Sequence, residues 1–293
     1  MQKKNKEERI MKLVKKLINF IVLIFLSLSI LSSFLVFTVS NTILNKEYIL
    51  NKMEECNYYE KTYLDINDIL EQYIGPSGLD EEVLKDIYTE EQVKNDIDIT
   101  VNAIFTGEEK TIETETIREK LSKNIYENYT ITNSQKEAIN NFEDTIINEY
   151  TKQITHHDYL YVLENYIPTI NKIMAKLKII MPIIVCIIIV CLIILNIKNT
   201  TKIIQGILIG FLSAGLTIMV IGIIINLNIN FEAILILNEI FSDLIRNIAN
   251  ELLKTFQNIG IVIAILSTIL LIVTNTTGAI KRNKKQMKQS SKK

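Results

Sequence analysis

Residues 179–197 read IIMPIIVCIIIVCLIILNI, a run of nineteen positions without Asp, Glu, Lys, Arg or His. A helix needs about 20 mostly apolar residues to cross roughly 30 Å of hydrocarbon. So much isoleucine would also suit a buried strand, but a single open strand in lipid leaves its backbone groups unpaired. The run therefore predicts a membrane-spanning helix.

Three further runs without ionisable side chains are long enough to cross a bilayer, at 17–45, 203–231 and 255–280. The first could instead be a cleaved signal peptide, because Lys-rich residues precede it. Its apolar stretch continues for about 20 residues, beyond the usual 7–15, which favours an uncleaved anchor. We therefore predict an all-α integral membrane protein with four transmembrane helices, whose cores lie at 17–38, 179–197, 203–225 and 258–274.

The charges are distributed in blocks, although 32 Lys+Arg and 33 Asp+Glu leave a net charge of only −1. Residues 1–16 hold seven basic and two acidic side chains, residues 281–293 hold seven basic ones, and the turn at 198–202 contains two lysines. Residues 41–170 hold 11 basic and 27 acidic side chains. Basic flanks stay on the cytoplasmic side, so we expect both termini inside the cell membrane. The basic tail either serves topology alone or also attracts anionic lipid.

This topology predicts an acidic α-helical extracytoplasmic domain inserted between the first and second spans. The predicted order is a basic terminus at 1–16, a span at 17–38, the outer domain at 39–178, a span at 179–197, a cytoplasmic turn at 198–202, a span at 203–225, an outer loop at 226–257, a span at 258–274 and a basic tail at 275–293.

The acidic domain carries apolar residues at helical spacing, so it is not expected to be disordered. Four stripes predict helices: Ile66, Ile69, Leu70, Tyr73 and Ile74; Val93, Ile97, Val101 and Ile104; Ile117, Leu121 and Ile125; and Ile139, Phe142, Ile146 and Tyr150. Thr89 with Gln92, Thr116 with Glu119, and Ser134 with Glu137 match the capping-box spacing. Breaks are predicted at Gly75-Pro76-Ser77-Gly78 and Thr106-Gly107. We expect five or six helices, the last running from about residue 134 toward the second span.

Residues 234–256 form an amphipathic pattern, with apolar side chains from Leu237 to Phe256 on one face. Their charges argue against a fifth span. A surface helix that binds anionic lipid usually has a basic polar face, whereas this one is slightly acidic. We favour packing on the outer domain over lying on the outer leaflet.

Small residues recur at four-residue intervals in the last two spans, at Gly206, Gly210 and Ala214 and at Gly260, Ala264 and Thr268. Such faces allow close approach of helix backbones, so we expect spans three and four to pack together, with an oligomer contact as the alternative. None of the four predicted cores contains an ionisable side chain, which disfavours an ion-coupled transporter. Gln205 is the polar side chain nearest the cytoplasmic end of span three.

The candidate chemical residues give weak signals. Adjacent His156 and His157 do not share a helix face, which suits one metal poorly. Asp65, Asp68, Asp96 and Asp98 lack the Gly and closing Glu of a calcium loop. Cys186 and Cys191 favour small apolar packing roles. Cys56 lies alone in the outer domain, with an intermolecular disulfide as an alternative.

We therefore expect no enzyme activity and no catalytic, metal or cofactor-binding site, because no nucleophile, phosphate-loop or HExxH motif occurs. The partners expected are the lipid bilayer and a protein, either a second copy or another chain, bound through the outer domain or the small-residue faces. No feature points to nucleic acid. The leading hypothesis is a partner-binding membrane protein: a receptor, an accessory subunit or an envelope-organising module. The alternative is a channel or transporter component for an uncharged or lipidic solute.

Overall fold

The computed structural model describes residues 2–108, 111–155, 157–233, 235–236 and 238–290. Helices make up nearly all of the described chain, and no strand occurs within it. The helices are α1 (Gln2–Asn41), α2 (Lys46–Glu55), α3 (Tyr58–Glu71), α4 (Ile74–Ser77), α5 (Glu90–Thr106), α6 (Glu115–Asn128), α7 (Lys136–Thr155), α8 (His157–Asn196), α9 (Thr200–Asn228) and α10 (Glu239–Ser290), with short 3₁₀ turns at Glu81–Leu84 and Phe231–Ala233.

Among the described residues, four helical segments are long and apolar enough to cross a membrane: Arg9–Asn41, Tyr166–Asn196, Thr200–Asn228 and Glu239–Ala279. The all-helical class and the number of such helices are therefore confirmed. Each segment is longer than the predicted core that it overlaps, because the helix continues into the flanking residues.

The chain divides into two compact units. The acidic unit comprises Asn41–Ile173 and Ile234–Ile248, and the apolar unit comprises Met1–Ser40, Met174–Ala233 and Ala249–Lys293. The acidic unit has its own hydrophobic core, formed by the inner faces of α2, α3, α5, α6 and α7. All four predicted apolar stripes contribute to this core, and Ile66, Ile117, Leu121 and Ile125 are fully buried.

The helix ends of the acidic unit follow the predicted signals only in part. Thr89 caps α5 and accepts from the Gln92 backbone N–H at 3.2 Å, and Gly107 ends the same helix at φ +74°. The other two predicted caps are wrong. Thr116 lies inside α6, and Ser134 lies in a turn where the Gln135 side chain instead accepts from the Thr132 backbone N–H.

Two predicted helices have different bounds in the structure. Residues 136–155 form α7 and residues 157–196 form α8, which continues through Pro168 and Pro182. Residue 156 between them lies outside the described residues. Of the segment predicted as a separate helix at 234–256, the residues from Glu239 onward belong to α10, which continues through the predicted fourth span. No Gly or Pro lies between the predicted end of that helix at 256 and the predicted start of the span at 258, so the helical backbone hydrogen bonds continue across the junction. Asn238 starts α10 by accepting from the Phe241 backbone N–H at 2.8 Å.

The first ten residues of α10 pack on the core of the acidic unit. Leu244 and Ile248 are buried in that core, and Ile240 and Phe241 lie against it. On the polar side, Arg246 pairs with Glu239 at 2.7 Å and with Asp243 at 3.1 Å.

Glycines set the helix contacts of the apolar unit. A Cβ on Gly206 would meet Leu192 of α8 and Leu23 of α1, and one on Gly210 would meet Leu26 of α1. This face of α9 therefore packs on the first two spans. The contact predicted between spans three and four exists, but through a different face of α9: a Cβ on Gly260 would lie 2.8 Å from the Gly215 carbonyl oxygen.

Candidate functional site

Tyrosine hydroxyls of the acidic unit donate to side-chain oxygens that are distant in the sequence. The pairs are Tyr59 with Asp98 at 2.8 Å, Tyr73 with Glu149 at 3.3 Å, Tyr88 with Asn67 at 2.5 Å, Tyr129 with Asp80 at 2.7 Å and Tyr150 with Asp96 at 2.7 Å. A tyrosine can fill an apolar core with its ring and satisfy a polar partner with its hydroxyl. Tyr59 with Asp98 connects α3 to α5, Tyr150 with Asp96 connects α7 to α5, and the other three pairs tie turns or loops to the helices or to one another.

Asp96 is the most enclosed of these acids, at 3% exposure, and Tyr150 beside it is fully buried. Burial raises the pKa of Asp96, and the hydrogen bond from Tyr150 counteracts part of that rise. Burial and the adjacent Asp96 raise the pKa of Tyr150. The Tyr150 ring packs on Tyr88 with 5.0 Å between centroids. The pair therefore joins α5 to α7 inside the core.

Glu143 of α7 is a second buried acid, and no sequence pattern singled it out. The Arg118 guanidinium lies 3.7 Å from Glu143 and 2.6 Å from Asp144. Burial raises the pKa of Glu143, while contact with Ser122 and Arg118 lowers it in part. The ion pairs connect α6 to α7.

The four acids considered for calcium fall into two groups in the structure. Asp96 and Asp98 on α5 accept from tyrosines, whereas Asp65 and Asp68 lie on α3. Within the described residues, no three His, Cys, Asp or Glu side chains come together in a way that could hold a metal ion. His156 lies outside the described residues, and the side chain of His157 is likewise not described.

The cysteines occupy unlike environments. Cys56 is half-buried, and burial raises the pKa of its thiol. Cys186 and Cys191 are exposed on α8, so the packing role predicted for them is wrong. Cys186 lies at the edge of a groove beside α1 and α9 rather than inside a helix contact, and the sequence alone could not tell which face of an all-apolar helix points outward.

The outer face of α3 presents a line of exposed side chains that sequence reasoning missed. Glu60, Leu64, Asp68 and Glu71, here called the acidic stripe, are spaced at i, i+4, i+8 and i+11. Leu64 is 53% exposed in the middle of the stripe. Within the described part of the chain, none of its three carboxylates forms an ion pair with a basic side chain. Helical spacing could have predicted the acidic stripe, because its residues lie on the side of α3 opposite the buried residues Ile66 and Leu70.

The apolar unit contains a groove of about 440 Å³ between α1, α8 and α9. Phe34 and Phe37 of α1, Met181 and Val185 of α8, and Phe211 of α9 lie along its walls, with Lys178 at one end. No sequence motif predicts such a groove, because it depends on which faces of three apolar helices meet.

Comparison with known proteins finds no relative: no protein-family model, no curated protein and no solved structure matches the chain. The functional argument therefore rests on these two surfaces.

Proposed function

We propose that the chain is a non-enzymatic multi-pass protein of the cell membrane whose acidic unit lies outside the cytoplasm and binds a partner with a cationic surface. The acidic stripe on α3 carries this proposal. Three exposed carboxylates flank an exposed leucine, which is the arrangement of an apolar anchor within a charged rim. Depending on the identity of this partner, the chain acts as a receptor, an accessory subunit or an envelope-organising module.

The distribution of the other acids supports the stripe as the contact. Asp80, Asp96 and Asp98 accept from tyrosines, and Asp243 is engaged by Lys61 and Arg246. The carboxylates of the acidic stripe form no such contact with any residue that the structure describes. With 27 acidic and 11 basic side chains in residues 41–170, the unit also attracts cationic proteins over distance.

The binding test uses a photo-crosslinking residue at Leu64 in intact cells. We expect one discrete adduct whose yield falls as salt increases, because exposed charges are screened. The triple variant Glu60→Gln, Asp68→Asn, Glu71→Gln should lose the adduct. The control Glu113→Gln, Glu119→Gln, Glu137→Gln removes the same charge from exposed positions elsewhere and should keep it. Equal loss in both triples, or no adduct at Leu64, would refute the proposed contact.

Orientation is tested separately, in a background without Cys56, Cys186 and Cys191. A membrane-impermeant maleimide should label Glu119→Cys in intact cells and Gln289→Cys only after permeabilisation. Labelling in the opposite order would place the acidic unit in the cytoplasm and refute the proposed topology.

The groove between α1, α8 and α9 favours a second candidate function, a channel or transporter component for an uncharged or lipidic solute. Its walls are apolar, and the predicted span cores lack ionisable residues. Purified protein in vesicles should then release a trapped uncharged solute or move a fluorescent lipid between leaflets. Vesicles indistinguishable from protein-free ones in both assays would remove this candidate.

A further inference from the structure

The groove of the apolar unit has the length of a lipid tail segment. Its lining on α8 extends from Lys178 to Cys186. Eight residues of helix cover about 12 Å at 1.5 Å per residue. One leaflet of the hydrocarbon core is about 15 Å thick, half of roughly 30 Å. The groove therefore accommodates a chain that lies within one leaflet.

The walls of the groove favour hydrocarbon over a polar solute. Phe34, Phe37 and Phe211 supply aromatic faces, and Ile30 forms part of the buried floor. Ser33 also lines the groove, but its hydroxyl donates to the Ser29 carbonyl at 2.8 Å and is satisfied within α1. A water-soluble ligand would leave its polar groups unpaired against these walls.

One end of the groove is cationic. Lys178 lines it and is the last ionisable residue before the uncharged run at 179–197. A lysine at the edge of a span lays its methylenes along apolar surface and extends its ammonium toward the interface. We propose that this groove binds the acyl chain of an anionic phospholipid, with the lipid phosphate at the Lys178 ammonium. This site is independent of partner binding by the acidic unit.

The chain provides a matched control for Lys178. Lys176 lies on the same helix, about 3 Å away along the axis and about 200° around it. It is exposed and does not line the groove. Lys178→Gln and Lys176→Gln therefore remove the same charge at nearly the same depth, and only the first removes it from the groove.

The chain contains no tryptophan, so a single introduced one reports on its surroundings. Phe37→Trp places the reporter in the groove, and Ile224→Trp places it on a lipid-facing position of α9 outside the groove. Each site lies four residues before the end of its helix. The full chain is reconstituted in phosphatidylcholine vesicles with increasing dibrominated phosphatidylglycerol, and in the converse mixture. Far-ultraviolet circular dichroism checks folding, and Phe34→Trp replaces the groove reporter if Phe37→Trp does not fold.

We compare the mole fraction of brominated lipid that quenches half of the fluorescence of the groove tryptophan. This mole fraction should be about fivefold lower for the anionic lipid than for the zwitterionic lipid. That factor is what one lysine near an anionic surface supplies. Lys178→Gln should abolish the preference and Lys176→Gln should retain it.

Three results would overturn the assignment. Equal quenching by both lipids would mean that the groove holds a chain without headgroup selection. The same preference at Ile224→Trp would mean that the effect belongs to the general lipid surface. A groove tryptophan that neither lipid quenches would mean that protein covers the groove, as in contact with a second copy.

Discussion

The acidic unit and the apolar unit bury their side chains in opposite ways. The core of the acidic unit is built from large side chains, with Ile66, Leu121 and Tyr150 fully enclosed. The apolar unit leaves most of its large side chains exposed and brings its helices together at glycines such as Gly215 and Gly260. In water, burial of apolar area drives packing, whereas in lipid the tails are as apolar as the side chains and close backbone contact must do it.

The two units also treat polar side chains differently. In the acidic unit, polar pairs such as Tyr150 with Asp96 lie inside the core. In the apolar unit, amide pairs lie near the ends of the uncharged runs: Asn196 donates to Asn19 at 2.7 Å, and Gln205 donates to Asn275. The position of a polar contact thus follows the solvent around each unit, and the following experiments test that contrast.

The largest expected difference is between two aliphatic truncations. Leu121→Ala empties a fully buried position of α6 and should lower the free energy of unfolding of the acidic unit by about 2–5 kcal/mol. Ile187→Ala on the exposed face of α8 should change stability by less than about 0.5 kcal/mol. Hydrogen–deuterium exchange of the full chain, followed on peptides from each unit, measures both. Equal losses would contradict the contrast.

The next expected effect concerns the buried acid. Tyr150→Phe removes the donor to Asp96 and should destabilise the acidic unit by roughly 1.5–3 kcal/mol near pH 7. The raised pKa of Asp96 means that folding favours its protonated form, so its stabilising contribution is complete below the ordinary value of 3.8 and is lost as pH rises through the raised pKa.

Asp96→Asn separates the charge from the hydrogen bond, because the amide oxygen still accepts from Tyr150. The stability of the parent protein should fall above pH 3.8 as Asp96 ionises, and the stability of Asp96→Asn should lack this contribution. Thermal unfolding over pH 4–7 measures the difference. A variant with the full pH dependence of the parent would show that Asp96 does not titrate in this range.

A smaller loss is expected from a single methyl group between α9 and α10. The Cβ of Gly260→Ala would lie 2.8 Å from backbone atoms of α9, which cannot rotate away. We expect a cost of about 1–3 kcal/mol in detergent unfolding. Gly75→Ala is the control, because nothing lies within 4 Å of its added Cβ. If Gly260→Ala were as stable as the control, the close helix approach would be refuted.

The smallest effect is expected for the amide pair between α1 and α8. Replacing Asn19 and Asn196 by leucine, singly and together, forms a double-mutant cycle. Interhelical hydrogen bonds in membranes average about 0.6 kcal/mol in such cycles. A coupling well above that value would mean that this pair, rather than glycine packing, dominates the bundle.

Sequence periodicity correctly predicted the features that depend on residues close together in the chain. The charge-free runs gave the four candidate spans, and helical spacing gave the buried faces of α3, α5, α6 and α7. Thr89 was found because a cap and its helix are adjacent. The stripe from Ile117 to Ile125 was found because burial of a helix face follows its own 3.6-residue period.

Contacts between distant segments could not be predicted in this way. Asp96 and Tyr150 are 54 residues apart, and nothing in either helix indicates the other. The stripe Gly206, Gly210 and Ala214 correctly indicated close helix packing, but its glycines face α1 and α8 rather than the predicted fourth span. The groove depends on three helices at once, so no single stretch of sequence contains it.

The amide pair of α1 and α8 also bears on how the chain is made. Asn19 and Asn196 are 177 residues apart, so ribosomal synthesis at 5–20 residues per second separates their appearance by about 10 to 35 s. During that interval the first span has entered the lipid without its hydrogen-bonding partner. Asn19 lies only three residues inside the uncharged run, where interfacial water can solvate the amide until the partner is inserted. Because Asn19 lies at the edge of the first span, its amide can stay hydrated until α8 is inserted, and no unsatisfied amide is buried in hydrocarbon.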